Sequence, residues 1–193
     1  YGIWLMLSAL PAYLSMADIG MVSTAGNRMT MEVSRGNHKQ ANIVLHSALV
    51  FMLVMCVTVL SVCIPLILLA PIPLLAELDR RLALAALVTG VLCAQFNGLC
   101  EAVFRATLRH SQGIMLGNLI RLAEWGGAVG GLFLFNSFSG VALGSLSLRL
   151  AGIIAALFWV RNSGDGLTLG ITLASRHEVT AMLRPALSFM AFP

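Results

Sequence analysis

Residues 114–135 read IMLGNLIRLAEWGGAVGGLFLF, apolar and long enough to cross a bilayer, yet they carry Arg121 and Glu124. Three positions apart, the two share one helical face, with Gly117 and Asn118 close by. Trp125 follows Arg121 by four positions, within stacking distance of a guanidinium. Two further groups have the same character. Asn97, Glu101 and Arg105 repeat every four residues and form a polar stripe on an otherwise apolar run, and Arg149 sits mid-run with Ser145 one turn before it. A guanidinium stays ionised and grips an oxyanion with two parallel hydrogen bonds. A carboxylate beside it can neutralise that charge or carry a proton. Burying a charge at the bilayer centre costs roughly 2.5–3.5 kcal/mol on insertion scales, so such groups face the protein interior or a wet cavity. Two readings stay open for Arg121 and Glu124: lining of a cavity, or mutual neutralisation between packed helices.

The elements that position these residues follow from composition. Hydrophobic residues make up 59% and charged residues 10% of the 193 positions, and mean hydropathy is +0.91. A soluble domain carries about 25% charged residues, so this chain is too poor in charge to cover a water-facing surface. The apolar residues come in long runs instead of alternating short segments, which favours membrane helices over a β-barrel. Spans are expected at about 1–25, 43–70, 82–104, 114–135 and 141–160, with a helix kinked or ended at Pro65 in the second. A sixth begins near 179 and is cut at Pro193. The chain opens on Tyr1 and stops inside an apolar run, so a piece of a longer protein is expected.

Short loops set the orientation. Segments 26–42, 105–113 and 161–178 hold Arg28, Arg35, Lys39, Arg105, Arg109, Arg161 and Arg176, whereas the opposite side has only Arg80 and Arg81, flanked by Glu77 and Asp79. The basic segments are therefore placed in the cytoplasm. The net charge of +4 follows from this asymmetry; its scattered residues match no nucleic-acid-binding motif. Cys56, Cys63, Cys93 and Cys100 lack metal-ligand spacing and read as apolar packing. The polar stretch NRMTMEVSRGNHKQANIVLHS reads as an amphipathic helix at the interface, ended by a turn at Gly36, or as a solvated connector. The glycines at 126, 127, 130 and 131, and at 140 and 144, read as close helix packing. Asp18 suits a helix end or an anchor for Arg28, and His46 an interfacial position. Tyr1, Trp4 and Trp159 suit aromatic belts. No metalloprotease, hydrolase, P-loop or dinucleotide motif is present, so neither an enzyme nor a direct use of ATP is expected.

The first forty residues, YGIWLMLSALPAYLSMADIGMVSTAGNRMTMEVSRGNHKQA, resemble the second helix and following cytoplasmic loop of Wzx-type flippases. These belong to the multidrug/oligosaccharidyl-lipid/polysaccharide exporter superfamily. Tyr1, Gly2, Trp4, Tyr13, Leu14, Asp18, Gly20, Asn27, Arg28, Gly36 and Ala41 carry the match. AVFRATLRHSQG and MLRPALSFMAFP resemble the loop after the family's fourth helix and the start of its seventh. The resemblance implies an all-α, polytopic bundle, part of a two-lobed, six-plus-six-helix transporter of MATE-like fold. Residues 1–178 would supply most of the first lobe and 179–193 the opening of the second. It implies flipping of an undecaprenyl-diphosphate-linked oligosaccharide across the bacterial inner membrane for O-antigen, capsule or exopolysaccharide synthesis. The driving force would be a coupling cation or downstream consumption of the lipid, with no cofactor. Arg121, Glu124, Arg149, Asn97, Glu101 and Asn118 would line the cavity, and Asp18, Asn27, Arg28 and Gly36 would form the loop motif. Two alternatives are a cation-coupled multidrug exporter of the same superfamily, whose cavity would be richer in carboxylates than arginines, and another membrane protein of polysaccharide synthesis, which would need a large catalytic loop.

The orientation has a direct check. In the intact protein with its native cysteines replaced, Ser34→Cys should react with a membrane-impermeant thiol reagent from the cytoplasmic side alone. Reaction on sealed cells from outside would reverse the topology.

Overall fold

The computed structural model describes residues 2–16, 20–69, 71, 73–162 and 166–191. Among them there is no strand. The helices are α1 (Gly2–Met16), α2 (Met21–Ser34), α3 (His38–Leu69), α4 (Leu78–Ala106), α5 (His110–Phe135), α6 (Phe138–Asn162) and α7 (Arg176–Ala191), with a 3-10 turn at Pro73–Leu75. Three of them, α3, α4 and α6, are long and apolar enough to cross a membrane. Five complete spans were expected, and the shortfall has physical causes. The first run, 1–25, is not one helix among the described residues. Gly20, in the left-handed region at φ 66°, precedes the separate α2. In α5 the polar load of Asn118, Arg121 and Glu124 interrupts the apolar stretch. The helices that do qualify turn large apolar side chains outward, among them Val57, Val62, Ile154 and Phe158. A surface of that kind fits lipid and not water.

Helix ends follow from local chemistry. Gly36, at φ 74°, closes α2. Its N–H donates to the Val33 carbonyl at 2.9 Å, and that of Asn37 donates to the Glu32 carbonyl at 2.9 Å. This satisfies the last carbonyls of α2 with a left-handed glycine. Asn37 then caps α3, its Oδ1 accepting from the Gln40 N–H at 3.2 Å. The polar stretch is thus mostly helical, and α3 starts five residues before the expected position 43. Pro65 lies inside α3, which continues to Leu69. Beyond it, Arg81 donates from Nε to the Leu75 carbonyl at 2.6 Å and from Nη1 to the Leu68 carbonyl. That places a cation on the free carbonyls at the end of α3.

The chain forms two compact units. The first comprises Tyr1–Ala17, Met55–Ala94 and Leu119–Gly152; the second comprises Asp18–Val54, Gln95–Asn118 and Ile153–Pro193. In the first, Leu7, Ile67, Ala83, Val88, Leu92 and Ala142 form the core, and Trp4 stacks on Phe138 with centroids 6.3 Å apart. Asp79 of α4 caps α6: its carboxylate accepts from the backbone N–H of Phe138 (3.0 Å) and Ser139 (3.1 Å) and from the Ser139 hydroxyl (2.5 Å). Helices α5 and α6 meet at glycines. A Cβ on Gly127 would collide with the Gly144 carbonyl, and one on Gly131 with the Gly140 carbonyl, while Gly126 and Gly130 face open space. In the second unit, Met29, Val44, Leu45, Leu99, Phe104 and Met182 are fully buried. Phe104 meets Trp159 edge-on at 6.2 Å.

The glycine seam makes a prediction. Gly127→Val should destabilise the folded protein by about 1–3 kcal/mol through overpacking, whereas Gly126→Val should leave thermal unfolding in detergent nearly unchanged. Equal losses at the two positions would contradict the seam.

Candidate functional site

Within the first unit, Arg149 of α6 is held by groups from two other helices. Its Nε donates to Glu124 Oε2 at 3.1 Å, its Nη2 to Glu124 Oε1, and its Nη1 to the Gly90 carbonyl of α4 at 2.5 Å. One guanidinium therefore ties three helices. The fork binds both carboxylate oxygens, the strongest geometry for this ion pair, and a backbone carbonyl takes up a third N–H direction. Gly90 permits the approach, since a Cβ there would lie 3.3 Å from Arg149 Nη1. The side chains of Arg149 and Glu124 are 18% and 25% exposed, so each charge has shed most of its hydration and depends on the other.

Two cavities flank the pair. One, about 90 Å³, is lined by Pro11, Ala86, Leu146, Glu124, Ser145 and Arg149 among others. The second is an apolar groove of about 360 Å³ bounded by Trp4, Trp125, Val129, Leu132 and Val141. Leu87, Glu124 and Ser145 border both, so the carboxylate stands at the junction of a small polar-ended cavity and a larger apolar one.

Arg121, by contrast, does not pair with Glu124. It is exposed on α5 and, among the described residues, makes no ion pair, hydrogen bond or ring contact. Trp125 is 74% exposed and does not stack on it. The i, i+3 spacing permitted the Arg121–Glu124 pair, but Arg149 reaches the same carboxylate across the helix seam with two hydrogen bonds. Asn118 is also exposed.

The second unit holds the remaining expected positions. Asn97 donates from Nδ2 to Glu101 Oε1 at 3.2 Å, and Asn97 Oδ1 is buried without a partner among the described residues. The Glu101 carboxylate lies against Gly117, and its backbone against Gly113, so α4 and α5 approach here over small residues. Arg105, the last of the polar stripe, lays its guanidinium over Gly26 of α2. Asn27 is exposed. Arg28 pairs with Glu178 of α7, Nη1 to Oε2 3.0 Å, an ionic contact not aligned as a hydrogen bond. Glu178 also accepts from Gln40 Nε2 at 2.8 Å. Asp18 lies outside the described residues, as does Tyr1.

A network on α3 was not anticipated. Asn42, His46 and Ser47 are buried and hold the segment between α6 and α7. Asn42 Nδ2 donates to the Gly166 carbonyl at 2.8 Å, and its Oδ1 accepts from the Thr168 N–H at 2.7 Å. His46 Nδ1 accepts from the Leu173 N–H at 3.1 Å, which assigns the proton to Nε2, 2.8 Å from the Thr168 carbonyl. Ser47 Oγ accepts from the Ser175 N–H at 2.9 Å. His46, expected at an interface, is 3% exposed. The sequence signal was the spacing 42, 46, 47, one polar face at the head of an apolar helix.

No protein family, curated protein or solved structure matches the chain in comparisons with known proteins. The class these observations define is an all-helical protein with helices able to cross a membrane.

Pairing of Glu124 with Arg149 is testable. Either single change, Glu124→Gln or Arg149→Met, should cost on the order of 2 kcal/mol, below the 3–5 kcal/mol of a fully buried pair because of the residual exposure. The double variant should recover most of that loss in thermal unfolding. Additive losses would contradict the pair.

Proposed function

We propose that the chain belongs to a multi-pass transporter of the bacterial inner membrane, with the two-lobed MATE-like fold, that flips an undecaprenyl-diphosphate-linked oligosaccharide toward the outer leaflet. Residues 26–42, 105–113 and 161–178 face the cytoplasm in this reading. The resemblance of the N-terminal forty residues to Wzx-type flippases supports it, as do the membrane-length helices and the basic asymmetry of the loops. The observation that carries it is the charge balance of Arg121, Glu124 and Arg149 on α5 and α6. Arg149 holds the one carboxylate, Glu124, and Arg121, exposed on α5, is left without a partner among the described residues. A site with one uncompensated cation amid apolar helices suits an anionic cargo.

The mechanism uses that balance. Arg121 receives a phosphate oxygen first. Arg149 can exchange Glu124 for a second phosphate oxygen while keeping its bidentate geometry, because carboxylate and phosphate present similar forks. Glu124 then competes with the cargo and prevents the diphosphate from being held too tightly. A proton arriving on Glu124 would weaken its hold on Arg149 and favour cargo binding, which links transport to a coupling cation. A second reading, a cation-coupled drug exporter, draws on Trp4 and Trp125 bounding the same groove as Glu124, a setting for an aromatic cation.

In the intact protein, Arg121→Ala should reduce surface polysaccharide at least tenfold, the loss of a charge-assisted hydrogen bond worth roughly 1.5–3 kcal/mol, while membrane insertion persists. Normal polysaccharide with that variant would remove the cargo assignment. Intact polysaccharide together with drug sensitivity in Glu124→Gln would favour the exporter.

A further inference from the structure

A second groove lies in the unit formed by Asp18–Val54, Gln95–Asn118 and Ile153–Pro193, apart from the ion pair. It has a volume of about 460 Å³, within the roughly 300–1,000 Å³ usual for small-ligand sites. Leu49 and Leu53 of α3, Phe96 of α4, Leu157 and Phe158 of α6, and Ile171 supply apolar walls. Among the described residues the one charged group in the lining is Arg161, in the last turn of α6. Arg161 is exposed and, among the described residues, forms no ion pair or hydrogen bond. The apolar rim is uncovered: Leu53 is 44%, Phe158 66% and Ile171 61% exposed.

The groove is preassembled. Its wall at residues 169–171 belongs to the segment held on α3 by Asn42, His46 and Ser47. Gly170 allows that segment to lie directly on the imidazole, since a Cβ there would sit 3.0 Å from His46 Cε1. A binding surface fixed by buried hydrogen bonds loses little entropy on occupation.

We propose that this groove binds one anionic phospholipid, an acyl chain lying along the apolar walls and the headgroup phosphate on Arg161. The occupant must be an amphiphile, because one guanidinium adjoins otherwise apolar walls. It is anionic, because the lining presents a guanidinium and, among the described residues, no acid. Either headgroup offers a phosphodiester to the fork of Arg161, but a zwitterionic one also brings an ammonium, which stands near that guanidinium with no carboxylate among the described lining residues. This site needs only that the chain lives in a bilayer; it stands whether or not the chain moves a glycan.

The test uses the intact protein, extracted into detergent with equal amounts of phosphatidylglycerol and phosphatidylcholine of matched chains. Retained lipid is counted by native mass spectrometry. Wild type should retain phosphatidylglycerol about tenfold over phosphatidylcholine, the scale of one charge-assisted contact. Arg161→Gln should bring the ratio near one, and Arg161→Lys should keep part of it. Leu53→Trp, which fills the trough, should lower retention of both lipids. Equal retention of the two lipids by wild type would overturn the proposal, as would an unchanged ratio in Arg161→Gln.

Discussion

A guanidinium taken out of water must find oxygen elsewhere, and for Arg149 that oxygen comes from Glu124 and Gly90. The rest of the first unit is arranged around this requirement. Arg149 stands on α6, its carboxylate on α5 and its carbonyl on α4, so the three helices are fixed in mutual register by one side chain. Removing any partner leaves a charge without solvation, a penalty larger than the pair's own net contribution. Such a pair is a poor source of stability compared with apolar packing of equal volume.

Small residues make the contact reachable. Gly90 admits the guanidinium to the α4 backbone, and Gly127 with Gly144, and Gly131 with Gly140, bring α5 and α6 within backbone contact. The same device recurs in the second unit, where Gly117 receives the Glu101 carboxylate and Gly26 the Arg105 guanidinium. In each case a polar group is laid against a missing side chain. Lipid offers helices little hydrophobic incentive to associate, so close backbone approach and interhelical hydrogen bonds take over that role. The second unit adds a different solution, in which Asn42, His46 and Ser47 of α3 give an irregular segment the hydrogen bonds that a strand or helix would have supplied.

The helices could be read from the sequence because apolar runs and their breaks are local properties. Boundaries were less legible. His38, Lys39 and Gln40 look like loop, yet Asn37 caps them into α3, and residues 1–25 look continuous, yet Gly20 adopts a left-handed conformation before a separate helix. Arg149 and Glu124 stood out in the sequence as charges in apolar runs. Their partnership was not, since spacing along one helix says nothing of a residue arriving from another. The two interleaved glycine pairs on α5 are equivalent in sequence, and only the position of α6 separates Gly127 and Gly131 from Gly126 and Gly130. Arg28 likewise finds Glu178, 150 positions away along the chain.

The account turns on which arginine holds Glu124. Solid-state NMR on the intact protein in bilayers, with labelled arginine guanidinium nitrogens and glutamate carboxylate carbons, measures this directly. A strong dipolar coupling between Arg149 and Glu124, lost in Arg149→Lys and kept in Arg121→Lys, is the predicted result. Coupling of Glu124 to Arg121, or to neither, would contradict it.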